Sequence, residues 1–402
     1  MPVESIKVLT LNCWGIMYVS KNIKERFEAI CDRLNDNDYD IVGLQEVWTQ
    51  EQYNMIIDKC SEALPYSHYF HSGMIGSGLC VFSKHPITHA MTLPYSLNGR
   101  PNAITHGDWF AGKALGFCRV HFEDWNRQYA FLVTHTHAEY SYKHLKKEYK
   151  FHRTAQFCEL AMAANNFTDI KSISGTILLG DFNCRPDGLG YKIMNAISGM
   201  NESWTSLHGD ENDVIATTSD RPDNLYTKRH RADYAFPNGQ RIDQVWFSGK
   251  LKPKECRIRP WGHEIKPNSN IPFSDHEPVQ VTFDCISEDA QKSEVSAEQI
   301  EALGAEVSEI FRNGMNDLNK YQVWAVIILG LLCAVLYADI CFVVLPFMLQ
   351  YMIALLLIVV LAFYVFQLMF TIPCEVNKCV GAIANVATWP SNPQILRHNN
   401  SN

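Results

Sequence analysis

Residues 176–186 read TILLGDFNCRP, in which three apolar residues lead directly into Gly180, Asp181 and Asn183. Side chains two positions apart point to the same face of a strand, so Asp181 and Asn183 can converge on one point beyond the strand end. Converging oxygen ligands suit a hard cation such as magnesium. An Asx turn that follows a core strand explains the same residues. This segment alone therefore leaves both interpretations open.

Composition limits the class of protein. The chain has 402 residues, enough for one large domain or two ordinary ones. Its formal net charge of −8 argues against a surface built to hold duplex DNA. The N-terminal residues show no signal peptide, and the thirteen cysteines contain no CxxC pair. Together these features predict reduced thiols and a cytosolic location for the N-terminal part.

The C-terminal part contains a long apolar stretch, from Val323 to Phe370. A membrane-spanning helix needs about 20 apolar residues, so this stretch is long enough for two. A division near Pro346 predicts spans over residues 323–345 and 347–370, although a turn near Asp339 is also possible. The lysines and arginines lie outside the hairpin and not between its two spans. The positive-inside rule therefore places the N-terminal domain and the tail in the cytosol, with the endoplasmic reticulum or another intracellular membrane as the expected location.

Apolar, strand-like segments in residues 6–284 repeatedly adjoin a polar residue that can bind a metal or transfer a proton. Many strands with interspersed helices suggest an α/β sandwich of two packed sheets. One polar residue at a strand end is ordinarily a cap or turn, but six such cases together are hard to explain by structure alone. The residues concerned are Asn12, Glu46, His135, Asp181 with Asn183, Asp243, and Asp275 with His276.

The segments LNCWG, LQEVW, GDFN, RIDQV and SDHEP occur in this order. They resemble the signature segments of the endonuclease/exonuclease/phosphatase superfamily over about residues 6–284. The resemblance implies an α/β, DNase I-like sandwich of four layers, with two mainly antiparallel sheets flanked by helices. It also implies an enzyme that cleaves phosphodiesters or phosphomonoesters with a divalent metal.

Longer segments narrow the resemblance. The stretches TLNCWGI, SGMIGSGLCVFSKHPI, HGDWFAGKALG and VTHTHAEY, with the C-terminal hairpin, resemble the membrane-anchored neutral sphingomyelinases. That family implies Mg²⁺-dependent hydrolysis of sphingomyelin to ceramide and phosphocholine, by a phospholipase C type of reaction. The predicted organisation is a catalytic domain (1–286), a linker with an amphipathic juxtamembrane helix (287–322), two transmembrane helices (323–371) and a cytosolic tail (372–402).

The resemblance assigns catalytic roles to four residues. His276 is expected to act as general base, because the unperturbed pKa of histidine lies near neutral pH. Asp243 resembles the carboxylate that orients this histidine. Asp181 is expected to place the attacking water, and His135 to stabilise charge on the phosphoryl group.

Substrate and metal roles fall on six further residues. Asn183 is expected to donate to a phosphoryl oxygen, and Asp108 and Lys113 to form the phosphate-side loop of the neutral sphingomyelinases. Glu46 is the first choice as Mg²⁺ ligand, because a buried strand has no structural need to end on a charge. Asn12 and Asp275 are expected to complete the metal shell. His137 shares a face with His135, and a core position is as plausible for it as direct contact.

Four alternatives remain beside this hypothesis. The nearest is a phospholipase C that acts on lyso-platelet-activating factor or another choline lysophospholipid, since headgroup and bond are alike. A phosphoinositide phosphatase is disfavoured because the GDxNYR and WCDR segments of that group are lacking. An abasic-site endonuclease is disfavoured by the acidic, membrane-anchored chain, so no nucleic acid partner is expected. A non-enzymatic membrane scaffold would be expected to lack catalytic positions that are all present here.

Overall fold

The computed structural model describes residues 4–103, 106–140, 149–209, 216–228, 236–291, 295–342 and 346–389. The chain divides into two compact units, residues 1–295 and 296–402. The first unit contains all the strands found within these ranges, and the second contains only helices. Each unit is described separately below.

Two six-stranded sheets form the first unit, as far as the described residues extend. In sheet A the strand order is β11-β12-β1-β2-β4-β3, and in sheet B it is β5-β6-β7-β8-β10-β9. Pairing is antiparallel except between β1 and β2 and between β7 and β8. The strands are β1 Ser5–Asn12, β2 Ile41–Gln45, β3 Tyr66–Phe70, β4 Leu79–Ser83, β5 Ile87–Pro94, β6 Ala114–Phe122, β7 Arg127–His135, β8 Gly175–Asp181, β9 Asn201–Glu202, β10 Asp243–Gly249, β11 Leu251–Ile258 and β12 Val279–Cys285.

Six α-helices accompany these sheets in the described residues: α1 Ile23–Asp36, α2 Gln50–Cys60, α3 Asp108–Ala111, α4 Lys150–Thr168, α5 Leu189–Ile197 and α6 Ser203–His208. In α1, Phe27, Ile30 and Leu34 fall on one face at helical spacing and are buried. Helix α2 begins with a capping box, in which Thr49 and Gln52 satisfy each other's backbone N–H groups.

Two layers of the core lie on the two faces of sheet A. One layer fills the space between the sheets, and the other fills the space between sheet A and helices α1 and α2. Helix α4 packs against α5 and against strand β8 on the other side of the sandwich. The order of helices, sheet A, sheet B and helices confirms the predicted four-layer α/β sandwich of mainly antiparallel sheets.

Because side chains alternate between the two faces of a strand, each row of residues that packs between the sheets continues to one edge of the sandwich. Ile177 and Leu179 pack between the sheets, and Asp181 continues their row two positions later. Three other strands show the same alternation, with buried residues of the inter-sheet core on the face that carries the polar residue. The residues are Ile6 and Val8 with Asn12, Phe131 and Val133 with His135, and Val245 and Phe247 with Asp243. The polar residues that the sequence singled out therefore meet between the two sheets, at one end.

The second unit consists of three helices in its described part, α7 Ala297–Phe342, α8 Phe347–Phe366 and α9 Ile372–Val386, with a π-helical turn at Gln367–Thr371 between the last two. Helix α7 and the stretch Phe347–Val386 are each long and apolar enough to cross a membrane. The break between α7 and α8 falls beside Pro346, and residues 343–345 lie outside the described ranges.

Two features of this unit differ from the sequence-based expectation. The predicted amphipathic helix and first span form one uninterrupted helix, because no proline or glycine pair separates them. The sequence predicts no helix in the tail after residue 371, yet α9 begins there and packs on α7, with Val386 beside Gly304. Its buried residues Ile372, Cys379 and Val386 face a buried row on α7 that includes Leu303, Val307 and Phe311. That apolar row is thus covered by the tail helix.

Candidate active site

The backbone register of sheet B aligns three of the predicted catalytic residues. Asp181 pairs with Asp243 across β8 and β10, and with His135 across β7 and β8. Strands β7 and β8 end at this edge, whereas the antiparallel β10 begins there. For this reason Asp243 is the first residue of its strand, while Asp181 and His135 are the last residues of theirs.

Asp181 lies at the centre of the site and is almost fully buried. Its Oδ2 accepts a hydrogen bond from Asn12 Nδ2 at 3.0 Å. The same oxygen lies 3.3 Å from His135 Nε2 and 3.9 Å from His276 Nε2. Burial alone would raise the pKa of Asp181, but the positive charge at His135 and His276 holds that pKa well below its usual range. Asp181 is therefore a carboxylate throughout the neutral pH range.

His276 and Asp243 form a buried, directly bonded pair. His276 Nδ1 lies 2.8 Å from Asp243 Oδ2, and Ser219 Oγ lies 3.4 Å from His276 Nε2. Burial would lower the pKa of His276, but Asp243 and Asp181 raise it well above its usual value. Burial in turn raises the pKa of Asp243. The pair therefore stabilises a proton on the imidazole ring, as a strong general base requires.

The residues around Glu46 can hold a cation. Glu46 follows β2 with a left-handed φ of 59°, which re-aims its side chain at the end of the strand. Its Oε1 accepts from Asn12 Nδ2 at 3.2 Å, while its buried Oε2 has no partner among the described residues. Burial and the charge of Glu46 raise the pKa of the neighbouring Asp275 to about 6. Two repelling carboxylates and one unpaired oxygen suit a divalent cation.

A second group of possible ligands is formed by Asp181, Asp243 and His276, whose candidate ligand atoms lie within 4.8 Å of one another in the described residues. In this group His276 Nδ1 already bonds Asp243, and its Nε2 points toward Asp181. A metal here would have to displace the proton that both carboxylates stabilise. The geometry therefore favours a cation beside Glu46 and proton transfer at His276.

Lys113 and His135 extend the site on the other side of Asp181. Lys113 Nζ lies 2.6 Å from His135 Nε2 and 3.5 Å from Asp108 Oδ1. An ammonium group can only donate, so a protonated Lys113 donates to His135 Nε2 in this contact. Burial opposes ionisation of Asp108, but His137, Lys113 and a hydrogen bond from Tyr140 hold its pKa below the usual value. The structure therefore places this pair of residues inside the site rather than on a solvated loop.

Asn183 forms the Asx turn that was one of the two interpretations of the opening segment. Its backbone N–H donates to Asp181 Oδ1 at 2.8 Å, which is an Asx turn. Its side-chain Nδ2 donates to Thr136 O at 3.0 Å. An amide nitrogen has two hydrogens, so one stays available for a ligand while the turn fixes the side chain.

Three further residues, His137, Tyr140 and Ser219, contact residues of the candidate site. His137 is fully buried, with Nε2 3.8 Å from Asp108 Oδ2, so it supports the loop. Tyr140 was only one of several aromatic residues near a motif, and it bonds both Asp108 and the His106 carbonyl. Ser219 contacts His276 and lies in the segment TTSD, where no sequence motif indicates a role in the site.

This fold and site define a class of metal-assisted phosphoesterases. Residues 9–276 match the model of the Endonuclease/Exonuclease/phosphatase family. The chain belongs to this family.

Particular relatives give a narrower likeness. The chain is 36% identical over 281 residues to sphingomyelin phosphodiesterase 2 of Homo sapiens, a match that covers 69% of this chain and 64% of that protein. It is 34% identical over 238 residues to inositol phosphosphingolipids phospholipase C of Saccharomyces cerevisiae, covering 54% and 49% of the two chains. The crystal structure of sphingomyelinase C from Streptomyces griseocarneus aligns with a TM-score of 0.52 and 17% identity, over 70% of this chain and 99% of that one.

Proposed function

We propose that the protein is a Mg²⁺-dependent phospholipase C that hydrolyses sphingomyelin to ceramide and phosphocholine. The observation that carries this proposal is the convergence of Asn12, His135 and His276 on the Asp181 carboxylate, beside Glu46. Family membership supports phosphoester cleavage, and the 36% identity to sphingomyelin phosphodiesterase 2 supports the substrate.

His276 removes the proton from the attacking water, and Asp243 holds the ring in place through Nδ1. The 2.8 Å bond from His276 Nδ1 to Asp243 Oδ2 leaves Nε2 directed toward Asp181. Asp181 accepts from the water and orients it toward phosphorus. The water oxygen forms the new P–O bond, and the bond from phosphorus to the ceramide oxygen breaks. The ceramide oxygen takes a proton from solvent, and His276 returns the proton of the attacking water to solvent.

Charge on the phosphoryl oxygens grows as the water attacks. Lys113 and His135 lie together on the side of Asp181 away from Asp243, and they place positive charge there. Asn183 donates its second amide hydrogen to one of these oxygens. Glu46, Asn12 and Asp275 would hold Mg²⁺, which supplies a Lewis acid for the same charge. Since the unpaired oxygen of Glu46 and the raised pKa of Asp275 fit a divalent cation, we assign the metal to these three residues.

The choline lysophospholipids are the second candidate substrate class. The chemistry above acts on the phosphodiester and does not depend on the lipid backbone. The likeness to a yeast enzyme named for inositol phosphosphingolipids supports a sphingoid backbone with some freedom in the headgroup.

The two apolar helices support an integral membrane protein. We propose that they form a transmembrane hairpin, with the catalytic domain and both termini in the cytosol and intracellular membranes as the location. In that arrangement the hairpin tethers the catalytic domain to a membrane, which raises the effective concentration of the lipid substrate.

The test uses the purified full chain, solubilised in detergent. It is incubated in parallel with choline-labelled sphingomyelin and with choline-labelled lyso-platelet-activating factor, each with Mg²⁺ or with EDTA, and released phosphocholine is measured. The proposal expects phosphocholine from sphingomyelin with Mg²⁺ and none with EDTA. A clear preference for the lysolipid would keep the mechanism and change the substrate. Failure to cleave either lipid would contradict the proposed function.

A further inference from the structure

Large apolar side chains are exposed beside the candidate site. Of the ten such side chains exposed in the described part of residues 1–295, six lie on two loops and one short helix. The first loop, residues 13–22, follows Asn12, and the second, residues 71–78, joins β3 to β4. The six residues, which we call the apolar rim, are Met17, Tyr18, Val19, Met74, Ile75 and Trp109.

The degree of exposure is unusual for side chains of this kind. Tyr18 is 98% exposed, and Met74 is 70% exposed. Each clusters with apolar neighbours, Tyr18 between Met17 and Val19 and Met74 next to Ile75. Single exposed apolar residues are normal on a soluble domain, but clusters around a binding site indicate contact with a partner or a lipid surface.

The loop of Met74 and Ile75 is fixed to the loop that carries Asp108 and Lys113. The backbone N–H groups of Met74 and Ile75 both donate to Phe110 O, at 3.0 and 3.1 Å. Gly73 and Gly112, both with positive φ, let the two backbones touch, since a Cβ on Gly73 would lie 2.6 Å from Gly112 Cα. The loop that exposes Met74 and Ile75 is therefore hydrogen-bonded to the segment that carries the buried Asp108–Lys113 pair.

The parts of the rim lie at the edge where the catalytic residues converge. Strand β1 ends at Asn12, where the first loop begins. Strand β4 is antiparallel to β2, so its beginning lies at the end of β2 near Glu46. Strand β6 is antiparallel to β7 and begins, just after α3, opposite the end of β7 near His135. The two loops and α3 therefore surround the opening that leads to the catalytic residues, which we call the mouth.

Charge near the rim points to the kind of partner. The chain has a formal net charge of −8, yet residues 5–24 and 71–79 contain no aspartate or glutamate. Lys21 and Lys24 follow the Met17–Val19 tip closely and are both exposed. An apolar tip flanked by lysines, on an otherwise acidic protein, matches the boundary between acyl chains and anionic headgroups.

We propose that the apolar rim docks on a lipid bilayer, with Met17, Tyr18 and Val19 on one side of the mouth and Met74, Ile75 and Trp109 on the other. The rim enters the headgroup region, and the mouth then opens onto the membrane surface. This inference rests on the proposed lipid substrate and adds how the substrate is reached. A substrate lipid passes from the bilayer into the site without crossing water.

The first test separates docking from chemistry. The full chain is reconstituted in nanodiscs and assayed on bilayer sphingomyelin and on a short-chain sphingomyelin that stays monomeric. The double variant Met74→Ser, Ile75→Ser should lose at least about tenfold in rate on the bilayer substrate, because it removes two exposed apolar side chains that enter the bilayer on docking. Its rate on the monomeric substrate should match wild type. Met91→Ser, exposed on β5 outside the rim, is the matched control and should change neither rate.

The second test does not depend on activity. Ile75→Trp and Met91→Trp each add one tryptophan to the nine of the chain. In nanodiscs with acyl-chain-brominated phosphatidylcholine, the emission added at position 75 should be quenched and that added at position 91 should not. Equal quenching of the two variants, or equal loss of both rates in the serine variant, would overturn the proposal. A wild type that cleaves neither substrate would refute the proposed function, while the quenching would still decide the docking.

Discussion

Asp181 is the residue at which the charges of the site meet. A buried carboxylate costs free energy unless it is paired, and this one has partners on three sides, Asn12, His135 and His276. Its position is therefore explained by function more readily than by stability. The same applies to Glu46, whose left-handed backbone and unpaired Oε2 offer no structural benefit.

Glu46→Gln tests the metal assignment. Glutamine keeps the shape and can still accept from Asn12, but it removes the negative charge that attracts a cation. We expect the Mg²⁺ concentration for half-maximal activity to rise at least about tenfold. Glu51→Gln, on the exposed first turn of α2, is the control and should titrate like wild type. An unchanged Mg²⁺ titration for Glu46→Gln would remove Glu46 from the ligand set.

Asp243→Asn tests the base. Activity requires the neutral imidazole, so in wild type the rate should rise with pH as His276 loses its proton at its raised pKa. Removing the negative charge of Asp243 lowers that pKa, so the rising limb should move to lower pH. The maximal rate should fall by about 10²–10⁴-fold. Asp38→Asn, which removes a carboxylate from an exposed ion pair with Lys84, is the matched control. A rising limb shifted to higher pH would contradict the account.

At this scale the sequence singled out polar residues at strand ends, but it did not show which of them contact one another or how they bond. Period-two alternation and strand order brought Asp181, Asp243 and His135 to one edge. The contact between Lys113 and His135 depends on a loop whose path no local pattern defines. Similarly, the pKa of His276 was expected near neutral pH, whereas the second carboxylate, Asp181, raises it further.

Strands β2 and β8 bring the two sheets together close to the site. At Gly43 a Cβ would lie 2.1 Å from Leu179 Cδ1 and 3.2 Å from Val133 Cγ2. Leu179 is buried and lies two residues before Asp181, so it cannot move without disturbing the strand that carries the carboxylate. Glycine at this position therefore sets the distance between the sheets.

Gly43→Ala is expected to destabilise the first unit by about 1–3 kcal/mol through overpacking. The measurement is the thermal unfolding transition of the purified chain, followed by near-ultraviolet circular dichroism. Gly381→Ala, on a helix position with no atom near the added methyl group, should leave this transition unchanged. An unchanged or higher transition temperature for Gly43→Ala would show that the sheets tolerate a wider separation.

Helices were predicted less well than strands. The apolar periodicity of α1 predicted its buried face, because that face packs on sheet A. The row Leu303, Val307 and Phe311 was also recognised, but periodicity does not identify the covering element, which is α9. The sequence analysis assigned no helix to the tail, whereas α9 lies there with Pro373 in its first turn, where proline is tolerated.

On the scale of the whole molecule, the chain separates the sheets and the candidate site from the helices of membrane-spanning length. Both sheets and both core layers lie in residues 1–295, and both membrane-length helices lie in residues 296–402. The sequence indicated this division through composition alone, since the apolar stretch has no counterpart earlier in the chain. The boundary lies near the polar segment that was predicted as a linker.

Deletion of residues 296–402 tests this division. The remaining chain keeps its complete core, so it should be recovered from the soluble fraction with an intact near-ultraviolet spectrum. It should cleave micellar substrate, because all ten proposed site residues are retained. The full-length chain, prepared in parallel, should sediment with membranes. A truncated chain that still sediments with membranes after a salt wash would show that the helices are not the main anchor.

The central claim is that water attacks phosphorus and releases ceramide. The most direct measurement uses the full chain, Mg²⁺ and sphingomyelin in water enriched in ¹⁸O, with mass spectrometry of the products. The account predicts one ¹⁸O atom in phosphocholine and none in ceramide, with product formation lost in His276→Ala and kept in His89→Ala, an exposed histidine on β5. Label in free choline, label in ceramide, or full activity of His276→Ala would contradict it.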